Sequence, residues 1–263
     1  MTQQEIEREV ANFKRRNYLH FDDNELDLPI YRIFPFESLL EMLNTNNLTL
    51  VKTRMWEDPY ENFLLKCNAS MLNGTPVNLK DLQEQIFGQC WTLYPETDAF
   101  WRIYSYSKNG VRIKTTVRKL FDVIFDNSSY STLTTSFIGK VQYDTVQNIG
   151  SLFSDPNYIG SIVQDTTGQG LVEAQLIKRI EFEHEKEIRL LYSVDSSSPD
   201  IQNDIKHFSI NPNNLIDDIM FDPRISSRYE NIYRQTILSL GFRNPILKSQ
   251  LYNFTPVNIR LPF

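Results

Sequence analysis

Phe182-Glu183-His184-Glu185-Lys186-Glu187-Ile188-Arg189 runs directly into the apolar Leu190-Leu191-Tyr192. As one strand, the segment places Glu185, Glu187 and Arg189 on one face and sends Ile188 and Leu190 into a core, because side chains alternate along a strand. Residues two apart lie roughly 6.5–7 Å from one another, so two carboxylates and a guanidinium would line one edge of a cleft. The same spacing suits an exposed strand face on which Glu187 and Arg189 pair with solvated neighbours, at a net value of about 0–1 kcal/mol. Spacing alone leaves both readings standing.

The flanking sequence sets this strand in a mixed fold. Ile6, Val10 and Phe13 recur at helical spacing, so Gln3 to Arg16 reads as an amphipathic helix. Leu28 to Pro35 alternates as a short strand with Tyr31 and Ile33 on one side and Arg32 on the other. A helix over Phe36 to Leu43 and a strand over Leu48 to Val51 follow. Trp56-Glu57-Asp58-Pro59-Tyr60-Glu61 reads as a turn entering a short helix, since proline suits a first helical turn. Helices are expected at 79–86, 98–106, 117–125, 171–180 and 228–240, with strands at 87–93, 111–115, 137–143 and 215–221, and an extended tail from Leu251. Many segments between strands are too short for βαβ crossovers, which predicts an α+β domain with a mixed, largely antiparallel sheet flanked by helices. Residues 1–27 are expected as an N-terminal helical arm and 28–263 as a single domain.

Composition narrows the partners. The 263 residues are 41% hydrophobic, enough for a substantial core, and carry a net charge of −6 with both signs interspersed. No broad basic surface advertises duplex nucleic acid. Two cysteines, Cys67 and Cys90, make neither a disulfide framework nor a thiolate metal site and suit a reducing, cytoplasmic setting. Met1 to Arg16 is too polar for a secretory signal, and no eighteen apolar residues run together, so no membrane partner is expected. His20, His184 and His207 are scattered singly, which gives zinc no support, and no metal site is expected. A phosphate-binding glycine loop, a nucleophile elbow and a dinucleotide fingerprint are all missing.

Three polar islands and one aromatic one remain. Arg32, on a strand among apolar neighbours, needs an anionic partner or a phosphate to offset its desolvation. Asp58 and Glu61 have the spacing of a helix N-cap and its N3 carboxylate, which is the favoured reading, or of a pair holding a cation or a sugar hydroxyl. Trp101, Tyr104 and Ser105 lie at i, i+3 and i+4, so a helix turns all three one way, either into the core or as the wall of a site for a planar ring. The fourth island is Glu185, Glu187 and Arg189.

In order, Tyr31-Arg32, Trp56 to Glu61, Cys90-Trp91-Thr92, Phe100 to Tyr104 with Asn109-Gly110-Val111, and Phe182 to Arg189 resemble the blocks of a bacterial family of domains of unknown function. The resemblance spans roughly residues 28 to 225. The chain departs from the family with Trp56 and Tyr60 in the Asp-Pro block, Trp91-Thr92 after Cys90, and Phe182 and His184 in the last. A basic residue on an early strand, an aromatic middle and a late Glu-x-Glu strand are in turn similar to the layout of ADP-ribosyltransferases. That likeness implies a split sheet and NAD consumed as a substrate through an oxocarbenium-like transition state. It implies that Glu187 bonds the ribose beside the developing charge, that Glu185 orients or activates a protein or nucleic-acid acceptor, and that Arg32 holds the pyrophosphate. Tyr104 or Trp101 would stack on nicotinamide, with Tyr31 and Ser105 beside the nucleotide and Asp58, Glu61 and Arg189 as supporting charges. Two other classes compete: a non-catalytic nucleotide-sensing or protein-interaction module, and a metal-dependent nuclease built on Asp58, Glu185 and a lysine. The nuclease would want an acid where His184 stands.

Overall fold

The computed structural model describes residues 2–58, 60–61, 66, 69–70, 73–77, 82, 84–126, 135–165 and 167–262. Most of the helix expected at 79–86, the start of the one expected at Pro59, and Cys67 lie outside the described residues.

Helix α1 (Gln3–Arg16) begins with a capping box: the Thr2 hydroxyl accepts from the Glu5 N–H, and the Glu5 carboxylate accepts from the Thr2 N–H. β1 (Tyr18–Leu19) follows, and Tyr18, Leu19, Phe21 and Leu26 are all buried, so residues 18–26 of the expected arm feed the sheet and its core. β2 (Pro29–Pro35), α2 (Phe36–Thr45) and β3 (Asn47–Lys52) come next, with Asn46 in the left-handed region at φ 53° making the tight turn between α2 and β3. Among the described residues, β4 (Ala69–Ser70) and β5 (Pro76–Val77) form a separate two-stranded sheet.

The central run is β6 (Ile86–Thr92), α3 (Asp98–Tyr104), β7 (Gly110–Thr116) and α4 (Val117–Ile124). α4 buries Val117, Leu120, Phe121 and Ile124, an i, i+3, i+4, i+7 stripe. Each such side chain contributes roughly 1.5–3 kcal/mol on burial. β8 (Ser136–Lys140), β9 (Gln142–Asp144), α5 (Val146–Ser154), α6 (Pro156–Gln164), α7 (Gln169–Ala174) and β10 (Ile177–Arg179) follow, then a 3-10 turn over Ile180–Glu185 and β11 (Glu187–Ser193). The chain ends through β12 (Ile205–Ser209), α8 (Pro212–Leu215), β13 (Asp218–Phe221), α9 (Ser227–Ser239) and β14 (Ile246–Lys248).

Two expectations are corrected here. The helix expected over 171–180 stops at Ala174, and 177–179 is a strand. Leu176 fills the space above Gly139, where an added Cβ would lie 2.3 Å from the leucine Cδ1, and that packing accompanies β10 pairing with β9 in parallel. The Glu-rich strand starts at Glu187, because Lys186 takes a left-handed conformation at φ 42° and ends the 3-10 turn. Sequence reading also missed α5, α6, β12 and β14.

The main sheet has ten strands among the described residues, in the order β1-β8-β11-β6-β2-β7-β13-β14, with β3 and β12 branching from β6. It is mixed and largely antiparallel; β1 with β8 and β13 with β14 are its parallel pairs. β6 is where it forks. One edge of β6 pairs with β11 throughout, from Glu187 opposite Thr92 to Ser193 opposite Ile86. The other edge meets β3 at Phe87 and Gly88 and β2 at Thr92, with Gln89, Cys90 and Trp91 facing neither. The main core, including Phe87, Trp91, Ile188, Leu190 and the stripe of α4, covers one face; Leu19, Phe137, Val172, Leu176 and Leu191 build a second core. No described helix is long and apolar enough to cross a membrane.

Candidate functional site

β11 supplies the centre of the site. Ile188 and Leu190 enter the main core, so alternation turns Glu187 and Arg189 to the other face, beside Cys90 of β6. The exposed-face reading fails there, since Glu187 is 5% exposed and Arg189 is wholly buried. Arg189 Nε donates to Glu187 Oε1 at 2.9 Å, Nη2 to Glu61 Oε1 at 2.7 Å, and Nη1 to the Gln175 carbonyl at 2.5 Å. Its guanidinium also stacks on Trp56, 4.5 Å from the ring centroid. Gly88 makes room for that indole: a Cβ there would meet Trp56 Cζ2 at 2.7 Å and Leu191 Cδ2 at 2.9 Å.

Lys178 of β10 gathers the acids. Its ammonium lies 2.7 Å from Glu185, 3.0 Å from Glu187 and 3.2 Å from Glu61, over the Phe182 ring at 4.7 Å. Glu185 therefore joins Glu187 through the lysine, although it lies in the 3-10 turn and not on the strand. Its outer oxygen accepts from the Tyr104 hydroxyl at 3.2 Å, and Thr92 Oγ1 donates to its carbonyl at 2.6 Å. Tyr143 of β9 accepts from the Glu187 N–H at 2.8 Å. Next along, Arg179 Nη2 donates to Asp58 Oδ1 at 2.9 Å and stacks on Tyr60. Asp58 also accepts the Tyr60 N–H at 3.0 Å, the side-chain bond expected of an N-cap, whereas Glu61 goes to Arg189 and Lys178, which corrects its expected place in a capping box; most of the helix itself lies outside the described residues. The network holds four carboxylates, Asp58, Glu61, Glu185 and Glu187, against three cations, Lys178, Arg179 and Arg189.

The charges tune one another. Burial alone would raise the Glu187 carboxyl, but Arg189 and Lys178 and a bond from Cys90 override it and hold the group near a pKa of about 2. Glu61 goes the other way: burial outweighs the same two cations and lifts it above the usual carboxylate range. Burial pushes the Cys90 thiol well up, with Glu187 adding to the effect, so it stands as a neutral donor. Burial also raises the Tyr104 hydroxyl, reinforced by Glu185.

Arg32 enters from β2, on the far side of the fork. Among the described residues its guanidinium has no carboxylate partner and no hydrogen bond; its one ring contact is Phe34, 5.4 Å away. Burial pulls its guanidinium down to about 10, partly countered by Cys90 and Tyr104, which ties it electrostatically to the groups beside Glu187 and Glu185. Tyr31 pairs with Thr92 at the closed end of the fork and carries the Arg112 guanidinium on its ring at 4.9 Å.

Trp101 and Ser105 go elsewhere. Trp101 is fully enclosed and donates its indole N–H to Glu96 at 2.8 Å. Ser105 Oγ donates to Asp222 at 2.5 Å and accepts the Gly110 N–H, locking the end of α3 to the start of β7. Tyr104, at 43% exposure, is the residue of the three that reaches the acidic network. Among the described residues no group of three His, Cys, Asp or Glu is arranged to hold a metal ion. Sequence reasoning missed Lys178, Arg179 and Tyr143; the signal available was a basic pair, Lys178-Arg179, that interrupts an apolar run just before the Glu-rich block.

Over residues 100–190 the chain is similar to the family described as "Protein of unknown function (DUF2971)". That stretch contains Trp101, Tyr104, Lys178, Glu185, Glu187 and Arg189. No curated protein matches. Among solved structures the chain is similar to Thermus sp. 2.9 DarT in complex with NAD+, at 13% identity and a TM-score of 0.38, over 85% of this chain and 96% of that one. The DarT complex with ADP-ribosylated ssDNA is similar at 12% identity and a TM-score of 0.38, over 84% and 93%. Identity this low carries no residue's role across.

Proposed function

We propose that the fork of the sheet is an NAD-consuming ADP-ribosyltransferase-like site, with Arg32 receiving the pyrophosphate, Tyr104 against the nicotinamide, and Glu187 and Glu185 facing the reacting ribose. The observation that carries the reading is Arg32. A half-buried guanidinium with no anion of its own is costly to keep, and a bidentate phosphate is the group that best offsets its desolvation. Burial lowers the Arg32 pKa, and Cys90 and Tyr104, which also bear on Glu187 and Glu185, counter part of that shift. Loss of nicotinamide leaves positive charge on the ribose, which a fixed, preorganised negative charge stabilises without reorganisation. Glu187 is such a charge, and the more open Glu185 is placed to orient an acceptor hydroxyl or amine.

The test compares labelled NAD with wild-type chain and with Arg32→Gln. Wild type should release nicotinamide and transfer label to an acceptor in cell extract. Arg32→Gln should raise the KM for NAD about tenfold to a hundredfold, the value of about 1.5–3 kcal/mol for a hydrogen bond to a charged group, while leaving stability unchanged or higher. Turnover that ignores Arg32→Gln would remove the pyrophosphate role. A second reading, a nucleotide-sensing or protein-interaction module without turnover, is favoured by one feature: both Glu187 oxygens are already engaged by Lys178 and Arg189. Saturable NAD binding lost in Arg32→Gln, with no nicotinamide released, would establish it.

A further inference from the structure

We propose that Lys178 is the positioning residue of this site: its ammonium draws Glu185 in beside Glu187 and so builds the acidic pair that strand alternation by itself does not supply. The inference rests on the transferase reading only for its kinetic readout.

Geometry makes the case. Glu187 is placed by β11, but Glu185 precedes a left-handed residue and belongs to the 3-10 turn, so the backbone puts the two carboxylates on no common strand face. What joins them is a single ammonium, 7% exposed, at 2.7 Å from one and 3.0 Å from the other. β10 fixes where that lysine starts. Its register against β9 sets Lys178 opposite Tyr143, whose hydroxyl accepts the Glu187 N–H, and its neighbour Arg179 is pinned by Asp58. The ammonium presents three donors and finds three carboxylates, Glu61 being the third, so its bonding capacity is filled with no strand ladder involved. Without it, the Glu185 carboxylate keeps, among the described residues, the half-exposed Tyr104 hydroxyl at 3.2 Å, while Thr92 holds its backbone carbonyl.

Among the described residues, the groups that face Glu187 are Arg189 on its own strand, Lys178 on β10, Cys90 on β6, Glu61 after β3, Tyr104 on α3, and Glu185 and Tyr143 beside Lys178. Two of these are cations. Removing Lys178 leaves Arg189 as the one cation facing Glu187 among the described residues, with Glu61 nearby repelling it, so Glu187 should take up a proton at higher pH.

The experiment follows Glu carboxyl carbons by NMR, in parallel with the pH dependence of nicotinamide release, in wild type, Lys178→Gln and Lys178→Arg. In Lys178→Gln the Glu187 titration and the acid limb of kcat should both move up by about one pH unit or more, with the KM for NAD within about twofold of wild type because Arg32 is untouched. Lys178→Arg should restore both. A folded Lys178→Gln whose Glu187 titration stays in place overturns the proposal, and so does a shift that Lys178→Arg leaves uncorrected. If wild type releases no nicotinamide, the transferase reading falls and the carboxyl titration still decides the role of Lys178. If Lys178→Gln does not fold, lysine-selective nitrogen NMR replaces it. The wild-type Lys178 ammonium should then exchange slowly and shift in Glu185→Gln, whereas fast exchange with no shift overturns the proposal.

Discussion

Two arginines in this chain have opposite surroundings. Arg189 is paired with Glu187 and Glu61 and stacked on Trp56, so neutralising either carboxylate strands a buried charge. Glu187→Gln should therefore lose about 3–5 kcal/mol in urea unfolding as well as any turnover, the usual cost of breaking a buried pair from one side. An activity loss in that variant is interpretable only beside its unfolding curve. Arg32 has no carboxylate partner among the described residues, so its replacement strands no buried acid and separates function from folding. Tyr104→Phe is milder, removing one bond to Glu185 from a half-exposed ring, and should cost about 1 kcal/mol. Ser105→Ala should cost more, about 1–3 kcal/mol, because it leaves Asp222 and the Gly110 N–H short of a buried partner. A larger loss in Tyr104→Phe than in Ser105→Ala would reverse the division of labour assigned to α3.

Elements decide where these residues meet. The alternation of Ile188 and Leu190 against Glu187 and Arg189 was legible in the sequence because a strand with one face in a core repeats every two residues. Arg32 was legible too, as a cation among apolar neighbours. Lys178 was not, because Leu171, Ala174 and Lys178 also fit a helical repeat and periodicity cannot tell a three-residue strand from the end of a helix. The aromatic set on α3 was half legible: spacing predicted that Trp101, Tyr104 and Ser105 share a side, but α3 ends at Tyr104, and the terminal ring swings to the acids while its neighbours pack inward. Gly88 gives the element-scale test. Gly88→Ala should drive Trp56 off β6 and loosen its stack on Arg189, at about 1–3 kcal/mol for overpacking, read as a shift in tryptophan fluorescence together with the unfolding midpoint. An unmoved emission spectrum would show that Trp56 does not rest there.

Across the whole molecule the fold class followed from short, alternating segments, but the fork did not. It arises from pairing between β6 and two strands more than thirty residues upstream, β2 and β3, and such register is invisible to local periodicity. Stability against acid is a property at this scale. Glu187 is held near 2 against an ordinary value of 4.5, so its contribution is complete above pH 4.5 and is lost as pH falls through about 2. Its size is on the order of 3 kcal/mol. Glu61 has the opposite sign: raised in the folded chain, it takes its proton there first, so acidification toward its range favours the fold and offsets part of that loss. Urea midpoints should hold between pH 7 and 5 and fall below 4.5, and Glu187→Gln should flatten the lower limb. A steep fall already between pH 7 and 5 would mean that other groups govern acid unfolding.

The interlocked charges around Lys178 also bear on how this chain can change over generations. Positions 58, 61, 178, 179, 185, 187 and 189 come from three separate stretches, yet each acid there answers to a base in another, so a lone substitution leaves an orphan inside the protein. A compensated exchange, with an acid and its base replaced together, should therefore cost less stability at this centre than an isolated replacement, which carries the penalty of a buried charge left unpaired in addition to any effect on chemistry.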